Sequence, residues 1–481
     1  MIKKLTKDNS IPENKICTLT PSEERFFFLS RFCPDSEAFN ENIAIIFERR
    51  LDEIFLKYAF EKVIETQEIL RSFIYIDEFE DPTLCILPEV FFELDITNSN
   101  DSSLNYHNTQ RLVSDYINRP FIIYKWPLFR VSLIQVNNKS ILTMVMHHII
   151  SDGYPSFTIL INEVMYYYEL ISKGRDDKSI LIKKIIQRSQ ITEAHQSSLY
   201  LFKNKQEHIY FWKKYLLGSN QNINFSKRIS DISGYQYPYF SKFIAKKIRI
   251  PKFKNYLYDS PQLRCINGID KYKFFFLSVL LKLFLDLFNQ KEVCVGLPIF
   301  NRDNLEEIKK LIGYFGGVLV LRSKILENDC FEDVLLNVIK NYQQILPHAN
   351  LPFQEIVKNT DQKWREIHKT PLFNILFVIS SLEDMKISNS FSLLNPSITK
   401  IPYSIIFSIN ILNNDLISFR IDYDRDSFHD DDIMLLISNF QISLQKNLKI
   451  ISNKSHSTKL LLSLTKKMIF FFSLIKFFNN L

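Results

Sequence analysis

The sequence predicts an α/β protein made of two α+β sandwich lobes, and three observations carry that expectation. Strand-length apolar runs alternate with helix-period segments along the whole chain, which is the mark of a mixed architecture. The order strand, helix, strand recurs in both halves. With 481 residues, 46% of them hydrophobic, the chain buries more core than one small domain holds. Two lobes of roughly 200 residues each follow.

In chain order, residues 51–68 place apolar side chains such as Ile54, Tyr58 and Val63 at helical spacing. Residues 139–146 form an apolar run of strand length, the pattern of a strand covered on both faces. Residues 156–172 read as a helix, because Phe157, Leu160, Ile161, Val164 and Tyr168 recur at three- and four-residue steps. Pro155 suits the first turn of that helix and Gly174 its end. The polar stretch KGRDDKS at 173–179 then breaks the pattern. It divides the chain into a first lobe (1–175), a second lobe (176–450) and a basic tail (451–481). The second half reads as a helical region ending near Gly218, an apolar helix at 274–288, and strands at 293–298, 318–322, 374–380 and 405–411.

Composition excludes several classes. The net charge is +7, and no acidic residue follows Asp432. Lys446, Lys449, Lys454, Lys459, Lys466, Lys467 and Lys476 all lie beyond that point and equal the whole excess. The body is therefore near neutral and the tail reads as a solvated linker. No basic stripe interleaved with aromatics is present, so nucleic acid is not an expected partner. The six cysteines are scattered without zinc or redox spacing. The apolar run at 274–288 contains Lys282 and Asp286, and that at 468–475 is far short of the roughly 20 residues a membrane span needs. With no secretion signal at the N-terminus, a cytoplasmic monomer without a membrane span is expected. Neither a phosphate-binding GxxxxGK[ST] loop nor a dinucleotide fingerprint occurs. The acidic run Asp422, Asp424, Asp426, Asp430, Asp431 and Asp432 lacks the spacing of a calcium loop and reads as a solvated turn before a helix. No metal site is expected.

Chemistry concentrates at His147-His148-Ile149-Ile150-Ser151-Asp152-Gly153. A buried strand would deliver His148 to the mouth of a cleft, and Gly153 would let the chain turn back as a helix. A histidine so placed can accept a proton near neutral pH and orient an attacking amine or hydroxyl. Asp152 can fix the turn by pairing with a distant arginine.

This motif resembles the HHxxxDG signature of the superfamily that includes chloramphenicol acetyltransferase and the condensation domains of nonribosomal peptide synthetases. Further segments resemble condensation-domain motifs in the same order: LTPSEERFFFL (19–29), QEILRSFI (67–74), PLFRVSL (127–133), YFWKKYLLG (210–218), GLPIFNR (296–302), IGYFGGVLVLR (312–322), HANLPFQ (348–354) and REIHKTPL (365–372). The tail at 461–480 resembles the linker that leads to an adenylation domain.

The resemblance implies two chloramphenicol-acetyltransferase-like lobes forming a V, with the active site in a tunnel between them. It implies a condensation enzyme that joins an acyl or aminoacyl thioester on a carrier protein to an acceptor amine, forming a peptide bond. Substrates would ride on phosphopantetheine arms of carrier proteins, with no tightly bound cofactor, and an adenylation domain would be a further partner. Acyl-CoA-dependent O- or N-acyl transfer and a catalytically silent interaction module are the alternatives.

Catalytic roles fall on His148, with His147, Asp152 and Gly153 completing the motif. His148 would orient or deprotonate the acceptor, or stabilise the tetrahedral intermediate. Arg302, or else Arg71, would pair with Asp152, while Tyr154, Gly316 and Gly317 would line the tunnel. The chain departs from the family where Gly316-Gly317-Val318 replaces the usual Val-Asn-Thr. Pro155, Gln67 and His368 replace a Ser, a His and a Ser.

Overall fold

The computed structural model describes residues 15–34, 36–76, 80–99, 106–174, 204–219, 238–251, 253–266, 268–300, 302, 308–360, 372–385, 387 and 391–448. The expected lobe boundary at 173–179 is described only to Gly174, and the REIHKTPL segment and basic tail lie outside the described residues apart from Leu372.

Two hydrophobic cores organise the chain. The first surrounds a five-stranded sheet in the order Phe391–Leu393, Asn40–Phe47, Lys139–His147, Phe129–Val136, Asp95–Ser99. Its pairings are antiparallel except the last, which is parallel. Central strand Lys139–His147 is buried at every residue after Lys139, which explains its unbroken apolar run. Helices Glu53–Thr66 and Tyr154–Ser172 pack their apolar stripes together in this core. A three-stranded sheet, Lys15–Thr18, Pro82–Ile86, Ser72–Ile76, completes the first half.

The second core surrounds a seven-stranded sheet in the order Gly317–Lys324, Glu292–Ile299, Ile375–Ser381, Ile405–Asn413, Leu416–Asp424, Tyr239–Arg249, Lys400–Ile401. Ile375–Ser381 runs parallel to both its neighbours, and the other pairings are antiparallel. Helix Gly268–Phe288 lies deep in this core, with Phe274 to Leu281 all buried. That burial accounts for the absence of a polar stripe in its sequence.

Two departures from the sequence reading have clear causes. Strand Phe391–Leu393, from the second half, joins the edge of the first sheet, pairing Phe391 with Phe47 and Leu393 with Ile45. Ile312, Tyr314, Leu382, Met385 and Leu394 likewise belong to the first core. The acidic run is also not wholly a solvated turn: Asp422 and Asp424 sit in a strand and are buried. Arg420, two residues earlier on the same face, donates to both oxygens of Asp422 (Nε at 2.7 Å, Nη2 at 2.5 Å), which makes that burial tolerable.

Packing is tightest where Gly296 meets Phe373. A Cβ on Gly296 would lie 2.3 Å from the Phe373 ring, and that ring is fully buried. Gly296→Ala is therefore expected to destabilise the protein by about 1–3 kcal/mol through overpacking. A lowered urea midpoint at unchanged slope is the measurement that checks it.

Candidate active site

A cavity of about 1000 Å³ is lined from both halves of the chain, by His148, Glu41, Phe26 and Tyr154 from the first and by Tyr314, Gly316, Gly317 and Tyr403 among others from the second. Helix Pro21–Phe32 supplies Arg25, Phe26 and Leu29 to it. That helix starts at a capping box: Thr20 Oγ1 accepts the Glu23 amide at 3.3 Å and Glu23 Oε2 accepts the Thr20 amide at 2.8 Å.

Strand Lys139–His147 ends in a short 3₁₀ turn, His148–Ile150, which tips the second histidine out of the sheet toward the cavity. Nδ1 of His148 lies 2.7 Å from the Ser151 carbonyl oxygen. A carbonyl only accepts, so Nδ1 carries the ring hydrogen and Nε2 is left as the basic nitrogen. Phe26 lies against one side of the ring with centroids 4.4 Å apart, and Tyr314 meets it edge-on at 5.2 Å. Glu41 Oε1 lies 3.0 Å from Nε2.

His147 has the opposite environment. It is only 2% exposed and does not line the cavity. Its Nδ1 accepts the Ile149 amide at 3.1 Å, which puts the ring hydrogen on Nε2, 3.4 Å from Ser30 Oγ. Burial, and then the neighbouring His148, holds its pKa down to about 3. The sequence reading grouped the two histidines as catalytic; the structure separates them into one cavity residue and one neutral internal support.

Asp152 is 4% exposed and meets Arg302, with Nε donating to Oδ2 at 2.8 Å and Nη2 to Oδ1 at 2.9 Å. The remaining guanidinium hydrogens go to the Ile308, Leu311 and Gly313 carbonyls at 2.8, 2.7 and 3.3 Å. Ser156 adds a hydroxyl donated to Asp152 Oδ1 at 2.7 Å. Arg71, the second expected partner, is elsewhere: it donates to the backbone carbonyls of Ile64, Glu65 and Leu87. Two of those carbonyls lie at the end of helix Glu53–Thr66 and the third just after strand Pro82–Ile86, and they hold Nε and Nη1 away from Asp152. Gln67 contributes a second link between the halves, donating to the Lys310 carbonyl at 2.9 Å and accepting the Ile312 amide at 3.1 Å.

Gly153 has φ +75°, and a Cβ there would come within 2.9 Å of Glu41 Oε2. It therefore both makes the turn and leaves room for the carboxylate. Gly316 and Gly317 line the cavity with different constraints: a Cβ at 316 would strike the Ile299 carbonyl at 2.5 Å, whereas one at 317 meets the Ile299 side chain only at 3.8 Å. Glu41 was not found from sequence. Its one signal is an acidic residue in the polar start (Asn40, Glu41, Asn42) of strand Asn40–Phe47, paired in register with Met146 beside the histidines. Among the described residues, no group of three or more His, Cys, Asp or Glu could hold a metal, and no helix is long and apolar enough to cross a membrane.

The chain matches the family model of the condensation domain over residues 13–470. It is 25% identical over 372 residues to a linear gramicidin synthase of Brevibacillus parabrevis, which covers 76% of this chain and 7% of the relative. It is 26% identical over 380 residues to a plipastatin synthase of Bacillus subtilis (strain 168), covering 78% of this chain and 14% of the relative. The chain thus spans a small part of these relatives' length. Its fold is similar to a mutant starter condensation domain of rhizomide synthetase in complex with C8-CoA and Leu-SNAC (TM-score 0.75, 14% identity, 90% of this chain and 94% of that one). It is also similar to the first condensation domain of the calcium-dependent antibiotic synthetase (TM-score 0.74, 12% identity, 89% and 96%).

Two outcomes are expected from this geometry. Asp152→Ala leaves a buried guanidinium without its carboxylate and should cost about 3–5 kcal/mol in equilibrium unfolding. His147 takes up a proton near its ordinary value when unfolded but only near pH 3 when folded, so the unfolded state binds more protons between those limits. Stability should fall as pH drops from about 6.5 toward about 3, at up to about 1.4 kcal/mol per pH unit from this group. Urea titrations across that range should give a shallower pH dependence for His147→Asn.

Proposed function

The chain belongs to the condensation-domain family, and from that membership we propose that it forms a peptide bond between a carrier-bound acyl or aminoacyl thioester and an acceptor amine. The observation that carries this reading is His148, which lines the cavity at the end of the motif strand with Nε2 facing Glu41. In this reading the donor and acceptor arms enter a tunnel between two lobes set in a V, the first lobe within 1–175 and the second within 176–450. Residues 451–481 form the tail beyond them. Holding both arms in one cavity turns a bimolecular encounter into a local one, a large share of the acceleration. His148 Nε2 takes the proton that the acceptor nitrogen loses as it attacks the thioester carbonyl.

Asp152 and Arg302 hold the turn that carries His148, while Tyr154, Gly316 and Gly317 line the path of the substrates. Carrier proteins, with substrates on their phosphopantetheine arms, and an adenylation domain are the partners. The reaction would take place in the cytoplasm, with the chain as a monomer.

The test is transfer from an acyl-loaded carrier protein to an aminoacyl-loaded one, run beside free acyl-CoA as donor. His148→Ala is expected to lower the rate about 10²–10⁴-fold with unchanged thermal stability. Retention of more than about a tenth of the rate would speak against this role for His148. Faster transfer from free acyl-CoA than from the loaded carrier would replace the carrier reading with a soluble-thioester one.

A further inference from the structure

We infer that Glu41 binds the ammonium of the acceptor beside His148, making the site selective for a protonated amine over an alcohol. This rests on the acyl-transfer reading above and names its acceptor class. With Nδ1 turned to the Ser151 carbonyl, the lone pair of the neutral ring is on Nε2, and a carboxylate oxygen lies 3.0 Å away. A protonated ring closes this contact by donating to the carboxylate; in the neutral ring the two acceptors face each other, and a hydrogen-bearing cation can join them. An ammonium offers three donors and a positive charge, so it suits the ring nitrogen and the carboxylate together. A hydroxyl offers one donor and no charge, and leaves one of the two facing an unpaired oxygen.

The placement of Glu41 is built in. Among the described residues, the cavity-lining carboxylates are Glu41, Asp152 and Asp422. Asp152 is held by Arg302 and Asp422 by Arg420, whereas Glu41 faces Nε2 of His148. Its side chain is 32% exposed, so it reaches the cavity surface. Gly153 keeps the space that it fills, and Phe26 and Tyr314 fix the ring that it faces. Other ionisable groups nearby do not duplicate it. His147 is internal and neutral, and Arg25 is engaged with the Tyr403 hydroxyl and the Phe353 ring. Burial keeps the Tyr314 phenol protonated.

The proton balance closes around this pair. The bound ammonium gives one proton to the Glu41 carboxylate, and the freed lone pair attacks the thioester carbonyl carbon. As the C–N bond forms and the C–S bond breaks, a second proton passes from nitrogen to His148 Nε2 and on to the departing thiolate. Glu41 then returns its proton to solvent. Ammonium and thioester become amide, thiol and one released proton.

The test compares leucyl N-acetylcysteamine thioester with its 2-hydroxyisocaproyl counterpart, which differ in the ammonium and hydroxyl groups. Calorimetric binding at pH 6.5 is expected to favour the amine in the wild type. Glu41→Gln should lose that preference by about ten- to a hundredfold, the range for a charge-assisted hydrogen bond. Binding of the alcohol should stay unchanged, and Glu41→Asp should restore part of the preference. With an octanoyl thioester as donor, amide formation by Glu41→Gln should fall about tenfold per pH unit below the amine's own pKa, more steeply than in the wild type. An amine preference that persists in Glu41→Gln overturns the assignment, as does a wild type that binds neither compound or prefers the alcohol. Absence of transfer to either acceptor, with the binding preference intact, overturns the acyl-transfer reading and leaves the ammonium site standing.

Discussion

The arginine fork at position 302 is the constraint on which the site depends. Its five donors are divided between the Asp152 carboxylate and carbonyls of the 308–313 segment. One end of the fork fixes the turn after His148, and the other fixes the approach to Tyr314 and the glycine pair. A buried ion pair of this kind contributes little net stability against an apolar replacement. Its value here is registry, because it adds a directional, buried link between two halves that have separate hydrophobic cores. Gln67 repeats the same solution nearby, joining the end of helix Glu53–Thr66 to Lys310 and Ile312.

Adjacent histidines show how much the backbone decides. His147 is the last residue of the strand and its side chain points inward, where burial and the Ile149 amide keep it neutral. His148 begins the 3₁₀ turn, so a one-residue step moves it to the cavity wall. The same imidazole is a buried structural acceptor in one place and part of the cavity wall in the next.

Much of this was legible because it is local. The strand at 139–146, the helix that follows the motif and the buried helix at 274–288 announced themselves through periodicity, and each lies within the element now described. Partners far apart in sequence were less legible. Arg302 was identifiable only as one of two arginines able to meet Asp152. The choice against Arg71 depended on where carbonyls at the end of helix Glu53–Thr66 would lie. Glu41 left no periodic signal, since a lone acidic residue at a strand start is usually solvated. The burial of Asp422 was hidden for the same reason: alternation along Leu416–Asp424 aligns it with Arg420, a fact of pairing that an acidic run does not display.

The short strand Phe391–Leu393 has a consequence for how the molecule is made. It covers the edge of Asn40–Phe47, a strand whose Ala44, Ile45 and Phe47 are buried in the finished protein. During synthesis the ribosome releases that edge long before residue 391 exists. Until then the first sheet has an open, largely apolar border, the kind that recruits strands from other chains. Closure of this border is a non-local event and therefore a slow one. A first half that folds before residue 391 emerges carries that border uncovered, and fragments ending before residue 391 lack the strand that covers it.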